Sequence, residues 1–398
     1  MKKFSAAHPL RSAFFGAVFG LAIASPLMAQ TKEALRLGVA TDLSGPFAPL
    51  GEQAARAIKF AVDEANKNGG VDGRQVEFRR LDSEAKPEVA RRQLEKLVSD
   101  GYHILTGLIS SGETLAIAPL LERWDALYIT TIAKADPITG ADCKPRLFRT
   151  NMSNAMDAAA IKSWLSNRKE RKWAIIASDI TFARGSAELF AKTIKEIGGT
   201  VTGEFYPPSN SSDFAPFIQQ IKSSDADGVW VVIGGRDAIT FAQQASQFGL
   251  IKAKTMGGVS FIADQEARQL GESVKGIYGI INYSATLETA ENKGFVERWN
   301  QANNELPTNF EGETYLGMRI LFDAVKATGS TDPKKLAAYL PGKTFETLKG
   351  PATFRAEDNQ LISPNYFGAI DLNRGAYRPV VSTTIAGAQV APPVTCKR

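Results

Sequence analysis

Two successive series of short apolar segments alternating with amphipathic ones constrain the fold of this chain more than any other feature. Residues 35–40 form a strand candidate, and Ala54, Ala57, Ile58, Ala61, Val62 and Ala65 then fall on one face of a helix that ends at Gly69-Gly70. Strand 76–81 follows. Pro87 suits a helix start, and Val89, Ala90, Leu94, Leu97 and Val98 give that helix its stripe before Gly101. Residues 103–106 and 127–130 are further strands. This order predicts a mostly parallel sheet with helices on both faces. A second series begins after Arg149, with strands at 173–177, 201–206 and 228–233 and helices at 187–197, 214–221 and 237–248. A chain of 398 residues exceeds a usual single core, so two similar α/β domains are expected. The Ala/Pro-rich stretch 386–393 is expected to be extended.

The N-terminus reads as an address. Lys2, Lys3 and Arg11 precede an apolar stretch at 14–27, and Leu27-Met28-Ala29 before Gln30 is a tolerable cleavage site. Residues 1–29 are therefore expected to be a signal peptide, with export to the periplasm. The formal charge of +5 falls to +2 once those three basic residues are removed, which gives little support to nucleic-acid binding. No later apolar run approaches the length of a spanning helix, so no stable membrane insertion is expected after cleavage. The two cysteines, Cys143 and Cys396, read as one disulfide in an oxidising compartment, or else as two unpaired thiols.

Catalytic chemistry is hard to assemble. After residue 30 the chain keeps a single histidine, His103, too few for a His/Cys metal cluster, and a His-based triad would rest wholly on it. There is no Walker loop and no GxGxxG after a first strand. No carboxylate pair is singled out for acid–base work. An enzyme is disfavoured, and neither a cofactor nor a metal is expected.

The segment 37–46, Leu-Gly-Val-Ala-Thr-Asp-Leu-Ser-Gly-Pro, followed by Gly51, resembles the opening of type I periplasmic binding proteins. Within them it is most similar to the leucine/isoleucine/valine-binding family of ABC-transporter receptors. Residues 66–74 resemble that family's turn after its first helix, 107–114 its serine loop after the third strand, and Gly350-Pro351 with Phe354 its late strand. The resemblance runs through nearly all of residues 33–375. It implies two doubly wound (Rossmann-like) parallel-sheet lobes joined by a three-crossover hinge that close on a small ligand. The crossings would fall near 149–150, 280–283 and 360–364. Lobe one would then hold 31–149 plus 283–361, and lobe two 150–282 plus 362–398.

The same resemblance implies a pocket. Ser110 and Ser111 stand where the family grips a ligand carboxylate with hydroxyls, amides and a helix N-terminus, although they also suit a purely helix-capping role. Ile132 and Lys134 fall on the second contact loop. Lys134 stands where a small hydroxyl residue is usual, and it reads either as a carboxylate partner or as a solvated rim charge. Phe182 matches an aromatic of the cleft wall, or else belongs to the core. Arg236 falls where an aromatic is common, and a cleft with Arg236 and Lys134 is expected to favour an anion, its acid group held by Ser110, Ser111 and a basic residue. Val259 falls where amino-acid binders carry the acid that holds the ligand ammonium. Asp42 either faces the cleft or caps the following turn. Apolar Phe47, Leu50, Phe182 and Phe261 suit an apolar ligand body. The expected function is an extracytoplasmic solute receptor of an ABC importer, monomeric and working with a permease, for an organic carboxylate such as an aromatic acid. The alternatives are a binder of branched-chain or other amino acids, or a ligand-sensing module for a membrane receptor.

Overall fold

The computed structural model describes residues 5–7, 32–261 and 263–397. Apart from residues 5–7, the expected leader lies outside the described residues. Five strands make the first sheet: β1 (Leu35–Thr41), β2 (Val76–Asp82), β3 (Ile104–Thr106), β4 (Leu127–Thr130) and β5 (Leu147–Arg149). They are all parallel, in the order β2-β1-β3-β4-β5. Side chains alternate across a strand, and β1 uses both faces. Leu35, Leu37 and Val39 join the core shared with helices Ala48–Lys67 and Asn309–Thr328, whereas Ala40 joins the core under helix Pro87–Ser99.

The second sheet contains β6 (Lys172–Ala177), β7 (Thr200–Phe205), β8 (Gly228–Val232), β9 (Thr255–Gly258) and β10 (Tyr278–Ile281). A small antiparallel sheet follows, made of β11 (Thr344–Thr347), β12 (Gly350–Phe354) and β13 (Leu361–Ile362). The chain then returns to the second sheet as β14 (Asn365–Asn373) and β15 (Ala376–Ile385). The full order is β15-β14-β10-β9-β8-β6-β7. The long β14–β15 hairpin is antiparallel, an exception to the parallel rhythm of the earlier units. Val229 and Val231 face one core, and Trp230 and Val232 the other.

The chain thus passes between the two sheets three times: after β5, after β10 and between β13 and β14. At the first and third passages it is tied to itself. Arg149, fully buried, donates from Nε to Gln360 Oε1 (2.6 Å) and from Nη1 to the Ala135 carbonyl (2.7 Å), and Gln360 Nε2 donates to the Asn151 carbonyl (2.8 Å).

Helix Ala48–Lys67 begins six residues before its apolar stripe, because Pro49 supplies a favourable first turn. The segment expected to be extended at 386–393 contains a helical turn, Gly387–Val390. Val390 is buried there against Met152, Met156 and Ala160, and that packing outweighs the composition. Beyond it the chain carries Cys396 to Cys143, with Cα atoms 5.7 Å apart in a disulfide. The bond spans 253 residues, for which loop entropy alone gives an upper value of ~5 kcal/mol.

Candidate functional site

A cavity lies between the two sheets and opens to solvent, with about 550 Å³ of empty space when the solvent at its mouth is included. Its walls come from the loops that follow strand ends: 109–111 after β3, 132–134 after β4, 180–182 after β6, Gly234 after β8 and Ser260 after β9. This is where open parallel sheets present ligand sites. Phe47, Leu50, Ile109, Ile132 and Phe310 line it from the first sheet's side, and Ile180, Phe182 and Val232 from the second's.

One end is polar. Gly107 opens the serine loop at φ +111°, with its α-carbon so close to β1 that a Cβ would stand 2.6 Å from the Ala40 carbonyl oxygen. The Ser111 hydroxyl accepts the amides of Lys134 and Ala135, both at 3.1 Å, which leaves its own proton to donate. Ser110 precedes the seven-residue helix Ser111–Ile117, and its amide donates to Glu113 Oε2 (3.3 Å). Across the cleft, Thr181 starts the sixteen-residue helix Thr181–Glu196, whose first amides have no partner within their own helix. A Cβ placed on Gly112 would lie 3.6 Å from Ser110 Oγ and 3.9 Å from Thr181 Oγ1, which sets these two hydroxyls, one from each side of the cleft, near one another.

Among the sequence candidates, Ser110, Ser111, Ile132, Lys134 and Phe182 line the cavity, as do the apolar Phe47 and Leu50. Lys134 meets neither expectation for its charge. The side chain is 3% exposed, and Nζ donates to Asp157 Oδ2 (2.7 Å) and Asn282 Oδ1 (3.0 Å), away from solvent. An ammonium left unpaired beside apolar walls would be costly, and Asp157 on helix Asn154–Ser166, itself 1% exposed, removes that cost. Two more buried charges adjoin the pair. Burial pushes Glu313 up to about 7, against the pull of Lys134 and Lys349. Burial pushes Lys349 down to about 8.

Asp42 neither faces the cavity nor caps the turn. It is fully buried, accepts the Ser83 hydroxyl (2.6 Å) and faces Glu113. The turn is held instead by Asp82, whose Oδ1 accepts the Leu43 and Glu84 amides. Val259 is buried in the core of the second sheet, and Phe261 packs against Phe241 with ring centroids 5.6 Å apart. Arg236 lies at the outer mouth of the cleft, in a groove with Arg56, Arg80 and Arg268. Its side chain is exposed, and its amide donates to the Pro46 carbonyl (3.2 Å). Among the described residues that line the cavity there is no carboxylate.

Sequence reasoning missed Thr181 and Phe310. Phe310 reaches the cavity from the far end of the chain, held there by a capping box in which the Thr308 hydroxyl accepts the Glu311 amide (3.3 Å) and Glu311 Oε2 accepts the Thr308 amide (2.7 Å). The Thr-x-x-Glu spacing was the available signal. The two sides also meet around the cavity. Gln53 Nε2 donates to Gln265 Oε1 (2.9 Å), and the Asn309 amide to Asp264 Oδ2 (3.0 Å).

Known proteins resemble both the sequence and this arrangement. "Leu/Ile/Val-binding protein homolog 3" of Brucella melitensis is 25% identical over 362 residues, which cover 90% of this chain and 95% of the relative. A solute-binding protein of an ABC transporter from Rhodopseudomonas palustris BisB5, solved with 3,4-dihydroxybenzoic acid, superposes with a TM-score of 0.83 at 24% identity. That match covers 89% of this chain and 98% of the other. A second solute-binding protein from R. palustris, solved with benzoate, gives 0.83 at 24% identity and covers 92% of this chain and 100% of its own. A family model described as periplasmic binding protein matches residues 34–376, and the chain belongs to that family.

Proposed function

We propose that this protein is the extracytoplasmic receptor of an ABC importer for an organic monocarboxylate with an apolar, aromatic body. The observation that carries this reading is the make-up of the cavity: hydroxyls and amides at one end, apolar walls elsewhere, and among the described lining residues no carboxylate to receive an ammonium. A ligand carboxylate placed between Ser110, Ser111 and Thr181 accepts hydrogen bonds from both sides of the cleft. An aromatic ring then lies among Phe47, Ile132, Phe182 and Phe310. Such a ligand bridges the two lobes and stabilises their closed arrangement, which is the state a permease would recognise. The lobe division that fits this action is 31–149 with 283–361 against 150–282 with 362–398. The two R. palustris structures hold ligands of this chemistry. Export to the periplasm, action as a monomer and the absence of catalytic turnover belong to the same reading.

A second reading has its own support. The Brucella relative is named for leucine, isoleucine and valine, and the apolar walls suit those side chains as well. A thermal-shift panel on refolded, ligand-stripped protein separates the two. A ligand at 100 times its Kd adds ~2.7 kcal/mol, enough to move the transition by a few degrees. Benzoate and hydroxybenzoates are expected to shift it and leucine to leave it unmoved. A shift with leucine alone would replace the first reading with the second.

A further inference from the structure

Behind the serine loop lie two carboxyl groups that the ligand never reaches. Asp42, just after β1, and Glu113, on the helix after the serine loop, are both fully buried. They face each other closely enough to hydrogen-bond. Each also holds a neighbour: Asp42 Oδ1 accepts the Ser83 hydroxyl (2.6 Å), and Glu113 Oε2 accepts the Ser110 amide (3.3 Å). Their other oxygens, Asp42 Oδ2 and Glu113 Oε1, are buried and meet no donor from any other residue. The groups around the pair are acids and neutral dipoles: Asp82 at the end of β2, the Ser83 hydroxyl, the Ile109 amide and the phenol of Tyr128 on β4. The Tyr128 oxygen in turn accepts the Leu108 amide (2.8 Å) of the serine loop.

Two ionised carboxylates cannot occupy such a site together, whereas one carboxylic acid donating to one carboxylate satisfies both idle oxygens. We propose that a single proton shared by Asp42 and Glu113 fixes the serine loop against β1, so that Glu113 is a positioning residue for the ligand carboxylate. The proton joins two walls of the cavity. On one side, the segment after Asp42 leads to Phe47 and Leu50, and Gly51 packs so tightly on it that a Cβ would stand 1.9 Å from the Asp42 carbonyl oxygen. On the other side, Glu113 grips the Ser110 amide directly. Burial, and then the Asp42 charge, push Glu113 up to about 10, in keeping with an acid that stays protonated at neutral pH. Losing the proton would set two anions against each other beneath Ser110 and Ser111. Glu113→Gln replaces the proton with a permanent amide donor of the same shape.

This inference rests on the reading that Ser110 and Ser111 hold a carboxylate, so its test has one arm with ligand and one without. With benzoate as the probe, wild-type affinity should fall at least tenfold between pH 8 and 10.5, as the proton leaves. Glu113→Gln should bind within about threefold of wild type at pH 7 and stay flat over that window, and Glu113→Leu should bind at least tenfold more weakly at pH 7. The arm without ligand counts protons released on unfolding at pH 7.5. Wild type should release one more than Glu113→Gln, because only the unfolded Glu113 ionises there. Equal counts would overturn the shared proton, whether or not benzoate binds and whether or not Glu113→Leu folds. Unequal counts with a Glu113→Gln affinity curve that tracks wild type would overturn the positioning role.

Discussion

The cavity and the hinge behind it share Lys134, yet they are built on opposite principles. The cavity is walled by Phe47, Leu50, Ile132, Phe182 and Phe310 and carries only hydroxyls and amides at its polar end. Beside the crossings, Lys134, Asp157, Glu313 and Lys349 crowd four ionisable groups into space shut off from water. Asp157 comes from the side of the second sheet and Lys134 from the first, so their ion pair spans the crossing. Burying charge is costly unless it finds a counter-charge nearby, and in the hinge Lys134 and Asp157 find each other. The lesson is that a charged residue in a binding loop need not be a ligand residue. Lys134 lines the cavity while its ammonium is held by Asp157 and Asn282 in the hinge, so a ligand meets no free cation from it.

Three experiments test this contrast. The largest effect is expected from Lys134→Met, which leaves Asp157 buried without its cation. Urea unfolding should show a loss of ~3–5 kcal/mol, most of it recovered in the double variant Lys134→Met/Asp157→Leu. A rim lysine would cost under ~1 kcal/mol, and that result would dissolve the contrast. The next effect depends on pH. Folded Glu313 keeps its proton up to about 7 against an ordinary 4.5, so the folded state binds more protons between those values. The resulting stability is fully present below 4.5 and is lost as pH rises toward 7. Glu313→Gln should flatten the stability curve over that window by up to ~1.4 kcal/mol per pH unit, read from urea midpoints. A variant curve parallel to wild type would show that Glu313 is charged in the hinge. The smallest effect is expected from Arg236→Gln. Its guanidinium stands exposed at the mouth, so carboxylate affinity should change by less than about threefold, or roughly 0.6 kcal/mol. A tenfold loss would bring Arg236 into the site.

Much of this molecule was legible before its structure, and the residues show why. The strand rhythm and the two-lobe class follow from local periodicity, which each segment carries within itself. Ser110, Ser111, Ile132 and Phe182 were legible as cavity-lining residues through the family resemblance, and they follow strand ends, where open parallel sheets present ligand sites. What stayed hidden depends on distant partners. Nothing near Lys134 announces Asp157, 23 residues on, or Glu313 in a different helix. Asp42 looked available because its partners, Ser83 and Glu113, lie 41 and 71 positions away. Phe310 was hidden by the nearly half of the chain that separates it from Ile109 and Ile132, although its capping box was written in plain sequence. The tail turn at Gly387–Val390 was missed because buried contacts to Met152 and Met156 outweigh a composition that favours extension.

The central claim is that the cavity accepts a carboxylate with an apolar body and has no place for an ammonium. Calorimetric titration of ligand-stripped protein with 4-methylpentanoate and with leucine tests it most directly, because the two differ only by the α-amino group. An unpaired buried ammonium forfeits ~1.5–3 kcal/mol, so the account predicts that 4-methylpentanoate binds at least tenfold more tightly than leucine. Tighter binding of leucine would contradict it, and would require a carboxylate to turn into the cavity when an amino acid is bound.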